Sequence, residues 1–187
     1  AGKHAAKEKN NLQLRRDSDL SIKFSGLITK KILSNELIKS FALPKKIHGT
    51  IFSKSTRGMK YGRHIDNAYM SSGRADLSFT VFLNCKKKYE GGALSIQGLN
   101  SEKKFKLDAG EIIIYPSTYL HSVEKVIDGE RLVFIGWIES YVKSIEEREY
   151  LFDLDAAARS LLAKYGKSEE VDLIYKSYSN FLRRLGN

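Results

Sequence analysis

The chain has 187 residues, of which 42% are hydrophobic and 11% aromatic. This composition is typical of one folded domain with a sizeable core and excludes a disordered chain. No apolar run approaches the roughly 20 residues that span a bilayer, and the start of the chain has no apolar signal-peptide core, so we expect no membrane contact. Cys85 is the only cysteine, which excludes an intrachain disulfide and favours a cytoplasmic location.

The net charge of +10 is unevenly distributed along the chain. Residues 1–63 carry 15 Lys and Arg against 4 Asp and Glu, whereas residues 64–187 carry 17 against 18. The basic residues are scattered and no RNP-type aromatic motif accompanies them, so nucleic acid is not favoured as a partner. We interpret residues 1–63 as a solvated basic layer; docking of an acidic peptide or polyanionic substrate is the alternative.

Residues 1–45 are predicted to form a loop followed by helices that pack on the core. The loop contains a candidate edge strand at residues 12–14. Over residues 19–41 the apolar side chains recur at helical spacing, with an interruption at residues 34–35, and Pro44 ends the pattern.

Residues 46–143 change to strand character. Apolar and β-branched runs alternate with turn signals about every 8–12 residues, a pattern typical of a barrel or a two-sheet jelly roll. We predict strands over residues 77–83, 93–96, 104–107, 112–115 and 132–138.

Residues 144–187 are predicted to be helical. Gly166 stands where one helix would end, and Ser168 can cap the next. That second helix carries an apolar stripe, which predicts packing on the core or, alternatively, a homodimer contact: Ile174, Tyr178, Phe181 and Leu185. The predicted fold class is therefore mainly β with flanking helices around a jelly-roll core, in one structural domain.

The chain has four histidines, and two of them fall in one pattern with an aspartate. His64 and Asp66 alternate with Ile65, so on a strand both side chains would point to the same face. His121 follows far downstream. A His-x-Asp pair with one distant His is the ligand pattern of a facial triad that holds non-haem Fe(II).

Arg131 follows His121 by ten residues and opens a long apolar strand. A buried Arg without a partner is costly, and its guanidinium can bind a carboxylate in bidentate fashion. We therefore expect Arg131 to bind the carboxylate of a cosubstrate beside the metal. No catalytic residue beyond the metal centre is predicted, because the chain has no convincing Ser-His-Asp or paired-carboxylate site.

Several segments carry a family resemblance: residues 61–68, 74–78, 82–84, 89–94, 107–111, 115–117, 120–123, 137–140 and 151–155. They resemble the bacterial PKHD-type hydroxylases, in the prolyl 4-hydroxylase branch of the Fe(II)/2-oxoglutarate-dependent dioxygenases. The resemblance implies a double-stranded β-helix core with flanking helices. It also implies that His64, Asp66 and His121 hold Fe(II) and that Arg131 binds the distal carboxylate of 2-oxoglutarate.

The implied activity is hydroxylation of a peptidyl residue, with proline the first candidate. It uses O2 and releases succinate and CO2, with ascorbate expected as reductant. Tyr115 and Thr80 are candidates for the second polar contact to 2-oxoglutarate, because Ser55 stands near where relatives carry a tyrosine. Tyr61 and Asn67 are candidates for the substrate pocket.

Two alternative functions stay open at this point. One is hydroxylation of a small molecule or of another side chain, and the other is a non-catalytic metal-binding jelly roll that acts as a sensor or interaction module. Arg131 argues against the second, because such a module needs no cosubstrate anchor. We expect a peptide or protein partner, acidic in view of residues 1–63. Family members usually begin well before the position of Ala1, so we also expect a truncated N-terminus.

Overall fold

The computed structural model describes residues 10–98 and 101–187 of the chain. The described residues form two compact units. One contains those of Ala1–Ile28 and Ile47–Glu139, and the other contains Thr29–Lys46 and Ser140–Asn187. The single domain, with segments divided after residues 45 and 143, stays a prediction. No helix in the described ranges is long and apolar enough to cross a membrane.

Strands outnumber helices among the described residues, which confirms the predicted class of a mainly β fold with flanking helices. In chain order the elements are β1 (Leu12–Gln13), α1 (Asp19–Leu33), α2 (Glu36–Ala42), β2 (Pro44–Thr56), β3 (Tyr61–His64), β4 (Tyr69–Met70), β5 (Gly73–Arg74), β6 (Leu77–Phe82), β7 (Tyr89–Gly91), β8 (Leu94–Gln97), β9 (Glu102–Phe105), β10 (Ile112–Pro116), β11 (His121–Val123), β12 (Val126–Ser140), α3 (Ile145–Tyr165) and α4 (Glu169–Leu185).

Two sheets build the core of the first unit. The larger sheet has the strand order β1-β2-β12-β6-β10, with β7 also paired to β12, and the smaller sheet has the order β3-β11-β8-β9. Residues of both sheets line one cavity, so the sheets face each other around it. This is the arrangement of a jelly roll, and the predicted jelly-roll core is confirmed.

Strand β6 lies inside the larger sheet, between β12 and β10. All six of its residues are buried, including Ser78 and Thr80, each 3% exposed. The predicted strands over residues 77–83 and 112–115 agree with β6 and β10 to within one residue. Short runs of mainly apolar and β-branched residues are therefore the elements that sequence reasoning locates best.

Other strands differ in length from their predictions. β12 begins at Val126 rather than at residue 132, because its first residues pair with β7. β9 covers Glu102–Phe105 rather than residues 104–107, because Glu102 pairs with Gln97 on β8 although both are exposed. Backbone pairing extends both strands through polar residues that an apolar pattern does not reveal.

The second unit has a small apolar core of its own. Leu43, Val142 and Leu151 are buried together, and Tyr178, Leu182 and Leu185 of α4 pack against them. The predicted helix interruption is real, since the Asn35 side chain caps α2 by accepting from Ile38 N at 3.0 Å. Gly166 and Ser168 end α3 and cap α4 as predicted. Phe181 is 46% exposed, so the apolar stripe of α4 is only partly covered, and the homodimer stays a prediction.

Candidate metal centre

His64 and His121 lie opposite each other on the paired strands β3 and β11. Their ring centroids are 4.2 Å apart, and both side chains are buried. His121 also pairs with Ile96 on β8, so its strand has a neighbour on each side. Strand pairing in the smaller sheet therefore brings two histidines that are distant in sequence to one place.

Asp66 joins the two histidines from outside the strand. β3 ends at His64, so the prediction that Asp66 lies on the same strand was wrong. The pairing stops there because β11 begins only at His121, after a turn in which Tyr119 N donates to Pro116 O. Asp66 Oδ1 nevertheless lies 4.0 Å from His64 Nε2, and Asp66 Oδ2 lies 3.6 Å from His121 Nε2. One ligand atom from each residue lies within 4.8 Å of the others.

The backbone holds the second ring nitrogen of each histidine. His64 Nδ1 lies 2.8 Å from the carbonyl oxygen of Gly62, and His121 Nδ1 lies 3.0 Å from that of Tyr119. Because a carbonyl oxygen only accepts, both Nδ1 atoms donate, and each Nε2 keeps its lone pair for a metal. Burial, and next the neighbouring His121, lower the pKa of His64 to about 4, so its imidazole is neutral at neutral pH.

Ser78 holds the carboxylate of Asp66, and Ser117 contacts Ser78. Ser78 Oγ donates to Asp66 Oδ2 at 2.6 Å, and the hydroxyls of Ser78 and Ser117 are 2.7 Å apart. Sequence reasoning identified neither serine. Ser78 is a polar residue within an apolar strand, and a buried polar side chain needs a partner, so this position was the available signal.

The donor set fits Fe(II). Two neutral imidazoles and one carboxylate on one side of an ion, with coordination positions left open, are typical of non-haem Fe(II) oxygenases. The hydrogen bonds on both Nδ1 atoms and on Asp66 orient all three ligands before any metal binds.

A cavity of about 510 Å³ adjoins the three residues. Its walls come from both sheets and from the segments that follow β1 and β3. The remaining sequence-predicted site residues all line this cavity: Ser55, Tyr61, Asn67, Thr80, Tyr115 and Arg131.

Arg131 is the most deeply buried of the cationic side chains that line the cavity. It is 3% exposed, and its Nε has no hydrogen-bond partner among the described residues. Burial lowers the pKa of Arg131, while the nearby Tyr89 and Tyr115 raise it. Sequence reasoning did not identify Tyr89 as a neighbour of Arg131. A buried guanidinium with an unused donor fits the distal carboxylate of 2-oxoglutarate.

Two tyrosines flank the histidines. The ring of Tyr61 stacks on that of His64 with a centroid distance of 3.8 Å, and burial, then Asp66, raise the pKa of Tyr61 to about 12. The ring of Tyr115 meets that of His121 edge-on at 5.2 Å, and burial, then Asp66, raise its pKa strongly. Both hydroxyls therefore stay protonated at neutral pH and can donate a hydrogen bond.

Comparisons with known proteins indicate the family of this chain. Residues 50–139 match the model of the 2OG-Fe(II) oxygenase superfamily, and residues 146–186 match that of the PKHD-type hydroxylase C-terminal domain. A PKHD-type hydroxylase of Prochlorococcus marinus strain MIT 9215 is 76% identical over 186 residues, which are 100% of this chain and 84% of that protein. One from strain MIT 9515 is 71% identical over 187 residues, 100% of this chain and 85% of that protein.

A solved structure supports the fold alone. The crystal structure of a Pseudomonas putida prolyl-4-hydroxylase has a TM-score of 0.51 and 19% sequence identity, covering 70% of this chain and 71% of that one.

The jelly roll, the facial group of two histidines and an aspartate, and the superfamily match together define a 2-oxoglutarate-dependent dioxygenase that uses Fe(II) and O2. The identity to the two Prochlorococcus marinus proteins extends over the whole chain. The chain belongs to the PKHD-type hydroxylases.

Proposed function

We propose that this dioxygenase hydroxylates a residue of a peptide or protein, with proline as its target, and releases succinate and CO2. The observation that carries the proposal is buried Arg131 in the same cavity as His64, Asp66 and His121. Proline is the target to test first, because the sequence resembles the prolyl 4-hydroxylase branch.

The reach of the cavity supports a polymeric substrate. Its lining extends from Arg131, which is 3% exposed, to Tyr69, which is 74% exposed. A side chain on an extended peptide can therefore enter from the surface while the rest of the peptide stays outside. A small molecule has no need of so exposed a wall.

Each residue has a separate role in this mechanism. His64, Asp66 and His121 would hold Fe(II), which supplies O2 activation coupled to oxidative decarboxylation of 2-oxoglutarate. Arg131 would bind and orient the distal carboxylate of 2-oxoglutarate, and Ser78 keeps Asp66 in position. The apolar side chains of Val133 and Ile135 line the cavity and help to exclude water from it.

Turnover without substrate tests the proposal in its simplest form. The protein, prepared without oxygen and loaded with Fe(II), should convert some 2-oxoglutarate to succinate in air, and ascorbate should sustain this turnover. His121→Ala and Asp66→Ala should abolish it, whereas Asp128→Ala, which removes an exposed carboxylate on β12, should not. No succinate at any Fe(II) concentration would overturn the proposed reaction.

The substrate itself needs a second experiment. Proteins from cells that co-express the wild-type chain or His121→Ala should differ by +16 Da modifications on proline in peptide mass spectra. Modification of a small molecule or of another residue type, with unmodified prolines, would overturn the assignment to proline and leave the dioxygenase reaction in place.

A further inference from the structure

Charge is distributed unequally between the inner end of the cavity and its mouth. At the inner end the formal charges of Asp66 and Arg131 cancel, as do those of Fe(II) and the 2-oxoglutarate dianion proposed above. The lining also includes Arg16 and Lys60, both exposed, and among the described residues no carboxylate other than that of Asp66 lines the cavity. Among the described lining residues, the charged side chains at the mouth of the cavity are therefore cationic.

Arg15 and Arg16 are adjacent in the sequence, but only Arg16 lines the cavity. Arg15 donates to both carboxylate oxygens of Asp17, at 3.1 and 2.7 Å, and does not line the cavity. Arg16 lines the cavity and has no carboxylate partner in the described part of the chain. Its placement follows from β1, whose pairing with β2 continues to Leu14, which donates to Phe52 O at 3.1 Å.

We propose that Arg16 binds an acidic side chain of the substrate peptide, close to the residue that is hydroxylated. This inference rests on the peptide hydroxylase function proposed above and names the class of peptide. A guanidinium binds a carboxylate through two parallel hydrogen bonds. The lining residues Asn11, Gln13 and Asn67 are neutral and polar, so they can hydrogen-bond to a peptide backbone without repelling an anion.

A binding experiment without turnover tests the selectivity directly. The protein is loaded with Mn(II) and 2-oxoglutarate in the absence of oxygen and incubated with a library of fully randomised short peptides. Asp and Glu should be enriched several-fold in the bound peptides of the wild type. Arg16→Gln should remove most of this enrichment, since an exposed ion pair corresponds to up to about fivefold in affinity. Added salt should reduce the enrichment because it screens exposed charges.

Arg15→Gln is the matched control and should keep the acidic enrichment of the wild type. Equal loss in Arg15→Gln and Arg16→Gln would overturn the assignment to Arg16, because only the general charge would then matter. Absence of acidic enrichment in the wild type would overturn the inference altogether. Succinate formation by the wild-type Fe(II) protein is measured separately, so failure of the dioxygenase function is distinguishable from failure of the acidic selectivity.

Discussion

Ser78 Oγ donates a 2.6 Å hydrogen bond to Oδ2 of Asp66, the carboxylate oxygen that faces His121 Nε2 at 3.6 Å. Ser78 belongs to β6 of the larger sheet, whereas Asp66 follows β3 of the smaller sheet. This hydrogen bond therefore connects the fully buried strand β6 to Asp66, which is the one of the three candidate metal ligands that lies outside a strand. The hydrogen bond restrains the Asp66 carboxylate, whereas strand pairing restrains His64 and His121.

Ser78→Ala should weaken Fe(II) binding, because the Asp66 carboxylate then loses the donor that orients it. Loss of such an outer hydrogen bond costs about 10- to 100-fold in metal affinity. Anaerobic calorimetry with Fe(II) measures the change. Ser95→Ala removes another buried serine hydroxyl, one that donates to Glu102 at 2.5 Å and does not line the cavity, and should leave Fe(II) affinity unchanged. Equal effects of the two variants would contradict the role of Ser78.

Arg131→Ala should raise the concentration of 2-oxoglutarate that the protein needs while Fe(II) binding stays largely intact. The reason is that the guanidinium would contact the distal carboxylate and none of the metal ligands. Two calorimetric titrations without oxygen measure the two affinities: Fe(II) into the metal-free protein, and 2-oxoglutarate into the Fe(II) protein. A 2-oxo acid without a distal carboxylate is the control titrant and should bind wild type and variant alike. Parallel loss of Fe(II) affinity would mean that Arg131 has a different role.

Tyr115→Phe should weaken 2-oxoglutarate binding by roughly tenfold, the typical effect of removing one hydrogen bond to a charged group. Tyr115 is buried, keeps its proton at neutral pH and lies close enough to Arg131 for the two to affect each other's pKa. The same titration measures the change. Thr80→Val tests the other candidate, which lines the same cavity. Weaker binding in Thr80→Val, with no change in Tyr115→Phe, would transfer the contact to Thr80.

The free energy of unfolding of the metal-free protein should fall as the pH is lowered from 6.5 towards 4. His64 has a pKa of about 4 in the folded state and an ordinary value of 6.5, so in this range the unfolded chain binds more protons. The contribution of His64 to stability is therefore present above pH 6.5 and is lost as the pH falls towards 4. Urea denaturation at a series of pH values measures it.

His64→Gln separates this contribution from that of the carboxylates, which also titrate at low pH. The variant should show a flatter dependence of unfolding free energy on pH than the wild type. The same slope in both proteins would show that another group carries the dependence.

Sequence reasoning located best the strands that consist mainly of apolar and β-branched residues. β6 and β10 were predicted almost to the residue because most of their side chains are apolar or β-branched and none of them is exposed. β9 and the first residues of β12 were not, because backbone pairing holds them while their side chains are largely exposed. The pattern of apolar residues indicates which side chains are buried. Backbone pairing does not depend on the type of side chain, so the sequence pattern does not indicate it.

The sequence by itself determined which side chains are candidates for the metal ligands and for the cosubstrate anchor. They are recognisable because their residue types and spacing are typical of such a site: His64, Asp66, His121 and Arg131. Tertiary structure alone decided their surroundings. It placed Ser78 on Asp66 with Ser117 behind Ser78, Tyr115 beside His121, and Arg16 rather than Arg15 at the cavity. These contacts join strands and segments distant in sequence, and their partners follow from sheet register, which no local pattern encodes.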